Sequence, residues 1–291
     1  MTARWLLVGG TGRVGRLVGP ALEDAVGRGK LVRQFRRDGS PDSLVWNPLE
    51  GVGRLAAEVE RAGQIAAMIV LAGAVPGGRA QLADNAAIAE ACLAGAAAAG
   101  IRRILVASSS AVYGTALERP YSETDPCVGA SPYALSKLTM ECACEPWRDR
   151  GLEVCAMRIG NVAGADALLH QLDGPTATTE LSIDRFADGK GPLRSYIGPA
   201  SLAGALAALA RNPLELPPVV NIAGAPSVRM EDLAEAARVR WCWGVPRPEA
   251  VQSVTLDCSL LASLAGDDLV RCSARSIVAE WVALRVPNDA K

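Results

Sequence analysis

The chain has 291 residues, of which 50% are hydrophobic and 21% charged, and its formal net charge at pH 7 is −1. This length and composition suit one large globular domain or two fused ones. The nearly neutral charge provides no basic field for nucleic acid or an anionic membrane surface, so neither is expected as a partner. No stretch reaches the ~18 apolar residues that a membrane helix needs.

Cysteine and histidine usage narrows the kinds of site that are possible. The eight cysteines are scattered without a C-x-x-C pair, which favours reduced thiols that serve as small apolar residues in a cytoplasmic protein. The apolar run at the N-terminus is too short for a signal peptide, which leads to the same expectation. Because His170 is the only histidine, no metal site is expected and a Ser-His-Asp hydrolase is disfavoured.

A glycine-rich turn near the N-terminus is the most informative local pattern. Trp5–Val8 is an apolar run without polar alternation, as expected for a strand that is buried on both faces. Gly9, Gly12 and Gly15 follow it. A sharp turn into a helix, the approach of a diphosphate and close helix–strand packing each require a residue without a side chain. Since helical spacing begins at Val14, the turn predicts a dinucleotide site rather than an ordinary strand–helix connection.

The end of the second predicted strand indicates which dinucleotide binds. A helix is expected over residues 12–27, and Lys30–Phe35 is the next strand. In dinucleotide-binding folds this strand end meets the adenosine ribose, where an acidic residue binds both hydroxyls and arginines bind a 2′-phosphate. Arg36 and Arg37 stand there, so NADP is preferred over NAD, the alternative being a solvated basic turn. Asn47 closes the following short strand, near the expected position of the adenine.

Strands and helices then alternate. Further strands are expected at Ala66–Leu71, Ile101–Ala107, Glu153–Ile159 and Val219–Ile222, and helices at Leu55–Ala62, Ala80–Ala99 and from Ser131 onwards. This alternation predicts an α/β fold with a doubly wound parallel sheet, a Rossmann fold. We expect a dinucleotide-binding domain over residues 1–160. Residues 161–291 should form a smaller, mostly substrate-binding region, with segments that return to the first domain.

The pattern is less regular in the second half of the chain. Loops and short helices are expected over residues 161–191, and a loop over residues 241–248. Helices are expected at Ser201–Ala210, Met230–Arg240, Ser259–Leu264 and Ala274–Leu284.

A tyrosine and a lysine four residues apart carry the candidate chemistry. Tyr133 and Lys137 should share one face of a helix. A phenol titrates at about 10, but a neighbouring ammonium and the positive ring of an oxidised nicotinamide would favour its phenolate. Such a group can exchange a proton with a substrate while a hydride moves to or from the nicotinamide. The serines at 108–110 end the preceding strand, and this combination is far more specific than a Tyr-x-x-x-Lys pair alone.

These motifs together resemble the extended short-chain dehydrogenases/reductases, a branch that includes nucleotide-sugar epimerases, dehydratases and reductases. The matching segments are Gly9–Gly15, Leu71–Gly73, Ser108–Gly114, Tyr133–Lys137 and Arg158–Val162, with weaker similarity as far as Asp257. The resemblance implies an NAD(P)-dependent enzyme with a small-molecule substrate. It also implies a homodimer that pairs through helices matching Ala80–Ala99 and Ser131–Arg148.

The resemblance assigns roles to individual residues. Ser109, Tyr133 and Lys137 would be catalytic, with Tyr133 as the acid/base and Lys137 holding the nicotinamide ribose and lowering the pKa of the tyrosine. Ser110, Asn161 and Arg194 would contact substrate, Arg194 matching an arginine that holds a substrate diphosphate or being an ordinary surface arginine. Together with the turn and strand-end arguments, the expected cofactor-binding residues are Gly9, Thr11, Gly12, Arg13, Val14, Gly15, Arg36, Arg37, Asn47, Leu71, Ala72, Gly73, Ser108, Tyr133, Lys137, Ile159 and Val162.

Two departures from the family pattern limit what the resemblance implies. Ser110 and Ala111 stand where the dehydratases carry an Asp-Glu pair, so dehydration is not expected. Ile197–Ser201 lacks the histidine and aspartate that many members have there, which weakens the inference to a nucleotide sugar. The leading hypothesis is an NADP-dependent reductase or epimerase that acts at a secondary alcohol or ketone. The alternative, a non-catalytic NADP-binding sensor, is disfavoured because the Ser-Tyr-Lys residues are all present.

Overall fold

The computed structural model describes residues 4–37, 43–51, 53–78, 80–114, 117, 119–173, 177–248 and 250–285. The chain divides into two compact units. The first consists of Met1–Gly114, Pro126–Arg158 and Ala203–Val220, and the second of Thr115–Asp125, Ile159–Leu202 and Asn221–Lys291. The chain therefore passes back into the first unit after residue 202.

The strands in chain order are β1 (Arg4–Val8), β2 (Leu31–Phe35), β3 (Leu44–Val45), β4 (Ile65–Val70), β5 (Arg103–Ser109), β6 (Glu153–Ile159), β7 (Asn161–Val162), β8 (Glu180–Asp184), β9 (Leu193–Arg194), β10 (Tyr196–Ile197), β11 (Val219–Ile222), β12 (Val228–Arg229), β13 (Arg240–Gly244) and β14 (Ser253–Val254). The helices are α1 (Arg13–Val26), α2 (Gly53–Ala62), α3 (Asp84–Ala98), α4 (Pro132–Asp149), α5 (Pro199–Arg211), α6 (Met230–Ala236), α7 (Ser259–Ala265), α8 (Asp267–Val270) and α9 (Ala274–Arg285). None of the helices in the described part of the chain combines the length and apolar character that crossing a membrane requires.

Seven strands form one sheet, in the order β11-β6-β5-β4-β1-β2-β3. Strand β1 pairs in parallel with β2 on one side and with β4 on the other, and β4 pairs in parallel with β5. The chain builds outward from β1 to β3 and then crosses back to β4, so the order reverses between β1 and β4. A doubly wound sheet binds ligands at the carboxyl ends of the strands beside such a reversal. The predicted Rossmann fold is confirmed.

The core of the first unit lies against the sheet and explains the apolar strand runs. Alternate residues of β1, β4 and β5 pack with α3 and α4 in one cluster, which includes Leu6, Val8, Met68, Val70, Ile104, Val106, Cys92, Leu93, Met140 and Cys144. The intervening strand residues Leu7, Ile69 and Leu105 are equally inaccessible to solvent. Strands buried on both faces need no polar alternation, which is why their sequences lack it.

The second unit contains short strands that local sequence patterns did not predict. Glu180–Asp184 is a strand inside the segment expected to form loops, and it pairs in parallel with β13, where a helix end and a loop were expected. Both predictions were wrong because this pairing depends on residues about sixty positions apart in the sequence. The helix expected over Met230–Arg240 ends at Ala236, and Arg238 has a positive φ of 55° that is incompatible with a continuing helix.

Candidate active site

The glycine-rich turn joins β1 to α1 with close backbone contacts. Gly9 has a φ of +86°, and a Cβ there would overlap the backbone of Ala72, in the loop after β4. A Cβ on Gly15 would overlap the carbonyl oxygen of Gly9, so the first turn of α1 packs directly on the glycine-rich turn. Gly12 caps α1 without a side-chain hydrogen bond. The free N–H groups of this helix end therefore face the turn, an arrangement that suits phosphate groups.

A cavity of about 170 Å³ lies over the carboxyl ends of β1, β2 and β4. Its lining includes these residues that the sequence predicts to bind a cofactor: Gly9, Thr11, Gly12, Arg36, Asn47, Leu71, Ala72 and Gly73. The small residues of the turn, the open helix end and the position at the reversal of strand order all fit a dinucleotide.

The polar lining at the end of β2 is neutral apart from one arginine. Gln34 is buried; its Oε1 accepts a hydrogen bond from the Gly9 nitrogen at 3.1 Å, and its amide nitrogen donates to the Trp46 carbonyl. Arg36 and Arg37 are both exposed, but only Arg36 belongs to the lining of the cavity. Among the lining residues that the structure describes, none is a carboxylate. The end of the cavity next to β2 thus offers a positive charge.

A buried asparagine connects the cofactor loop to the helix of the candidate catalytic residues. Asn85, on α3, accepts a hydrogen bond from the Ala74 nitrogen at 2.8 Å and donates to the Ala74 carbonyl at 3.1 Å. Its amide nitrogen also donates to the Ser136 hydroxyl on α4 at 2.9 Å. Because both ends of the amide are satisfied, Asn85 fixes the loop after β4 against α4. Sequence reasoning missed this residue, although a lone amide in an alanine-rich helix is an available signal.

The structure brings Ser109 and Tyr133 together. Ser109 ends β5, and its hydroxyl oxygen accepts a hydrogen bond from the Ala111 nitrogen at 3.2 Å. Tyr133 lies in the first turn of α4, which Ser131 caps by accepting a hydrogen bond from the Ala134 nitrogen. The Ser109 hydroxyl lies close enough to the Tyr133 phenol to lower the pKa of the phenol by a hydrogen-bonding interaction. The two side chains can therefore meet the same substrate oxygen.

The pKa of Tyr133 is raised, not lowered, by the protein groups around it. Burial is the largest cause, and the hydrogen bond from Ser109 and the positive charge of Arg13 oppose it. From its sequence, the pKa of Tyr133 was expected to be lowered by the neighbouring lysine. The protein groups alone do not lower it, because burial of the phenol outweighs the favourable charges. The influence of Arg13 also places the glycine turn within electrostatic reach of the phenol.

Lys137 is buried one helical turn after Tyr133. Its Nζ donates to the Ala107 carbonyl of β5 at 2.9 Å. A Cβ on Gly73 would lie 3.1 Å from the Lys137 Nζ. Burial lowers the pKa of Lys137 to about 8, while the charge of Glu141 acts in the opposite direction. The ammonium therefore reaches both the strand end and the loop that lines the cavity.

A buried ion pair lies one further turn along α4. Arg158, in β6, donates to both carboxylate oxygens of Glu141, at 2.8 Å from Nη2, and to the Tyr113 hydroxyl at 3.1 Å. The Ser108 hydroxyl donates to Glu141 at 2.5 Å. Ser108 was expected to bind the cofactor, but its side chain is buried and its proton is directed at Glu141. A charged residue within the apolar run of β6 was the available signal for this pair.

The remaining predicted substrate and cofactor residues lie as follows. Ser110 begins a short 3-10 turn in the first unit. Asn161, Ile159, Val162 and Arg194 belong to the second unit, where the Asn161 nitrogen donates to the Ser195 carbonyl at 2.9 Å. Arg194 is part-buried, and its guanidinium donates to the carbonyls of Leu193, Val251 and Gln252. Their contacts with ligands stay predictions.

Sequence comparison links the chain to known proteins. The model of the NAD dependent epimerase/dehydratase family matches residues 5–209. A UDP-glucose 4-epimerase of Lacticaseibacillus casei is 46% identical over 68 residues, which are 23% of this chain. The match spans 20% of the length of that curated relative.

Solved structures share the fold over nearly the whole chain. A UDP-glucose-4-epimerase from Stenotrophomonas maltophila, with NAD and formylated UDP-arabinopyranose bound, has a TM-score of 0.78 and 19% identity and covers 99% of this chain and 100% of its own. A dTDP-glucose 4,6-dehydratase from Streptomyces venezuelae, with NAD bound, has a TM-score of 0.74 and 18% identity, and covers 98% of this chain and 97% of its own. At these identities the likeness shows the fold alone.

The family match runs from the strand before the glycine turn to the end of α5, and so contains both the turn and the Tyr-x-x-x-Lys helix. The motif resemblance is thereby confirmed, and the chain belongs to the NAD dependent epimerase/dehydratase family of enzymes.

Proposed function

We propose that the chain is an NADP-dependent reductase or epimerase that transfers a hydride at a secondary alcohol or ketone of a small molecule. The observation that carries this proposal is the closeness of the Ser109 hydroxyl to the Tyr133 phenol, with Lys137 buried one turn further along the same helix. These three side chains lie at the carboxyl end of β5 and the start of α4, at the ligand-binding edge of the sheet.

The three residues have separate tasks in this reaction. Ser109 is held by the Ala111 nitrogen and orients the substrate oxygen. Tyr133 exchanges the proton of that oxygen, a role for which its position, beside Ser109 and within reach of the Arg13 charge, is suited. Lys137 supplies a positive charge near the phenol and a donor for the nicotinamide ribose. The bound nicotinamide supplies the hydride chemistry.

NADP is proposed over NAD because of the charge at the end of β2. Gln34 and Arg36 line the cavity where an acidic residue would be needed to hold two ribose hydroxyls. An arginine can instead form charge-assisted hydrogen bonds with a 2′-phosphate. The solved structures described above contain NAD, so the proposal of NADP rests on the residues of this chain alone.

A nucleotide sugar is the proposed substrate class. The relatives named above are enzymes of UDP- and dTDP-sugars, and Arg194 is a part-buried cation whose hydrogen-bond partners include neutral backbone carbonyls. Such a cation is suited to a diphosphate. Ser110 and Ala111 replace the acidic pair of the dehydratases, so reduction or epimerisation is proposed rather than dehydration.

A substrate panel tests the proposal. Simple ketones, UDP-sugars and dTDP-sugars are each incubated with the purified protein, once with added NADPH and once without it. Both NADPH oxidation and changes in sugar configuration are followed. NADPH consumption identifies a reductase, whereas sugar conversion by tightly retained cofactor without added NADPH identifies an epimerase. Binding of NADPH without turnover of any of these compounds would contradict the proposal and favour a sensor.

Replacing the two arginines after β2 tests the cofactor preference. In the Arg36→Ala, Arg37→Ala variant, the dissociation constant for NADPH is expected to rise about 10- to 100-fold, because hydrogen bonds to a charged group are lost. The constant for NADH should change little, since NADH has no 2′-phosphate. Arg28→Ala, an exposed arginine at the opposite end of β2, is the control. Fluorescence titration measures both constants, and equal losses for the two cofactors would remove the case for phosphate recognition.

The homodimer also stays a proposal. It would use α3 and α4, which match the helices through which family members often pair. Light scattering on the purified protein would test it, and a monomer at micromolar concentration would contradict it.

A further inference from the structure

A carboxylate is buried next to the candidate catalytic lysine, and the proposed proton transfer does not use it. Glu141 stands four residues after Lys137 on α4, so the two side chains lie on one face of the helix. Only 4% of Lys137 and 8% of Glu141 is exposed. Burying a charge is costly unless it is paired, so the arrangement of these groups calls for an explanation.

Strand β5 is joined to α4 at successive residues. Lys137 donates to the Ala107 carbonyl, the hydroxyl of Ser108 donates to Glu141, and the Ser109 hydroxyl lies near the Tyr133 phenol. A displacement of Glu141 would therefore move Ser108, and through the backbone of β5 it would also move Ala107, which contacts Lys137, and Ser109. Glu141 is in turn fixed by Arg158, which donates to both of its oxygens.

Resting on the role proposed above for Lys137, we propose that Glu141 is a positioning residue for this lysine and that Arg158 limits how much of the Glu141 charge reaches it. The carboxylate stabilises the buried ammonium from one helical turn away. The guanidinium holds the carboxylate in place and partly cancels its field. Neither residue touches the reacting atoms in this scheme.

The charged and titratable groups around Lys137 define the electrostatic expectation. On α4 these are Tyr133 and Glu141; β6 supplies Arg158, and the turn after β5 supplies Tyr113. The neighbouring polar side chain from α3 is the uncharged Asn85. Removing the carboxylate alone leaves the positive Arg158 nearby, so the pKa of Lys137 should fall. Removing the charges of both Glu141 and Arg158 should restore part of this fall in the pKa of Lys137.

The small number of lysines makes this measurable. The chain has four, Lys30, Lys137, Lys190 and Lys291, so a protein labelled with ¹³C-lysine gives few side-chain NMR signals. The signal of Lys137 is assigned by its absence in Lys137→Arg. In Glu141→Gln, the pKa of Lys137 is expected to fall by roughly 1 unit. In the Glu141→Gln, Arg158→Met double variant it should lie between the Glu141→Gln and wild-type values.

The control is Glu145→Gln, an exposed carboxylate one turn further along α4, which should leave the pKa of Lys137 unchanged. An unchanged pKa in Glu141→Gln, or equal values in the single and double variants, would overturn the proposal. If Glu141→Gln does not fold, the double variant decides alone: its Lys137 pKa must lie below the wild-type value. Because neither substrate nor cofactor is needed, the result is independent of whether the proposed activity is found.

Discussion

Tyr133→Phe is expected to lower kcat about 10²- to 10⁴-fold, the usual contribution of a positioned general acid or base. Phenylalanine keeps the ring that packs at the start of α4 but removes the hydroxyl that meets Ser109. Because the glycine turn and the cavity are untouched, the dissociation constant for NADPH should hardly change. Steady-state kinetics on a substrate from the panel, together with fluorescence titration of NADPH, measure the two quantities.

A second tyrosine provides the control for this prediction. Tyr121 belongs to the second unit and is buried, so Tyr121→Phe removes a phenolic hydroxyl without entering the Ser-Tyr-Lys group. Its turnover should stay close to that of the wild type. Turnover of Tyr133→Phe at the wild-type rate would show that another group moves the proton.

Arg158→Met is expected to lower the free energy of unfolding by about 3–5 kcal/mol, because it leaves the buried Glu141 carboxylate without its counter-ion. Both side chains are only 9% exposed, so water cannot replace the guanidinium. The hydrogen bond to Tyr113 is lost at the same time. Urea unfolding followed by circular dichroism measures the change.

Two further variants separate charge from packing in this prediction. The Glu141→Gln, Arg158→Met double variant should recover much of the lost stability, since the buried carboxylate that lost its guanidinium partner is removed as well. Arg33→Met breaks the more exposed ion pair with Glu23 and should cost about 0–1 kcal/mol. A double variant as unstable as Arg158→Met would show that lost packing, and not the orphaned carboxylate, causes the effect.

The elements of the seven-stranded sheet and its first helix could be predicted because their signals are local. The bounds predicted for β6 and β11 match the structure, and α1 differs from its predicted range by one residue at each end. Strand β5 begins and ends two residues later than expected, so Ser108 and Ser109 lie within it. A parallel ladder is held by backbone hydrogen bonds, so polar residues at a strand end can join it without an apolar signal.

The site was predictable only where one motif carries one role. The glycine turn and the Tyr-x-x-x-Lys pair are short patterns: the turn follows the carboxyl end of β1, and Tyr133 lies near Ser109 at the carboxyl end of β5. Asn85 and the Glu141–Arg158 pair act across elements far apart in the sequence, so no short pattern announces their contacts. The protein groups alone raise the pKa of Tyr133, which sequence could not predict because burial depends on the whole fold; the effect expected of an oxidised nicotinamide stays a prediction.

The chain passes from the first unit to the second and back again, which has a consequence for truncated forms of the protein. The outermost sheet strand β11 and most of α5 come from residues beyond position 200, although the Tyr-x-x-x-Lys helix ends before residue 150. A protein truncated at residue 160 keeps the glycine turn and the Ser-Tyr-Lys residues but loses Asn161, Val162 and Arg194, and it leaves β6 as an unprotected edge, which invites aggregation. A fragment that contains Ser109, Tyr133 and Lys137 but lacks β11 is therefore not expected to fold stably by itself.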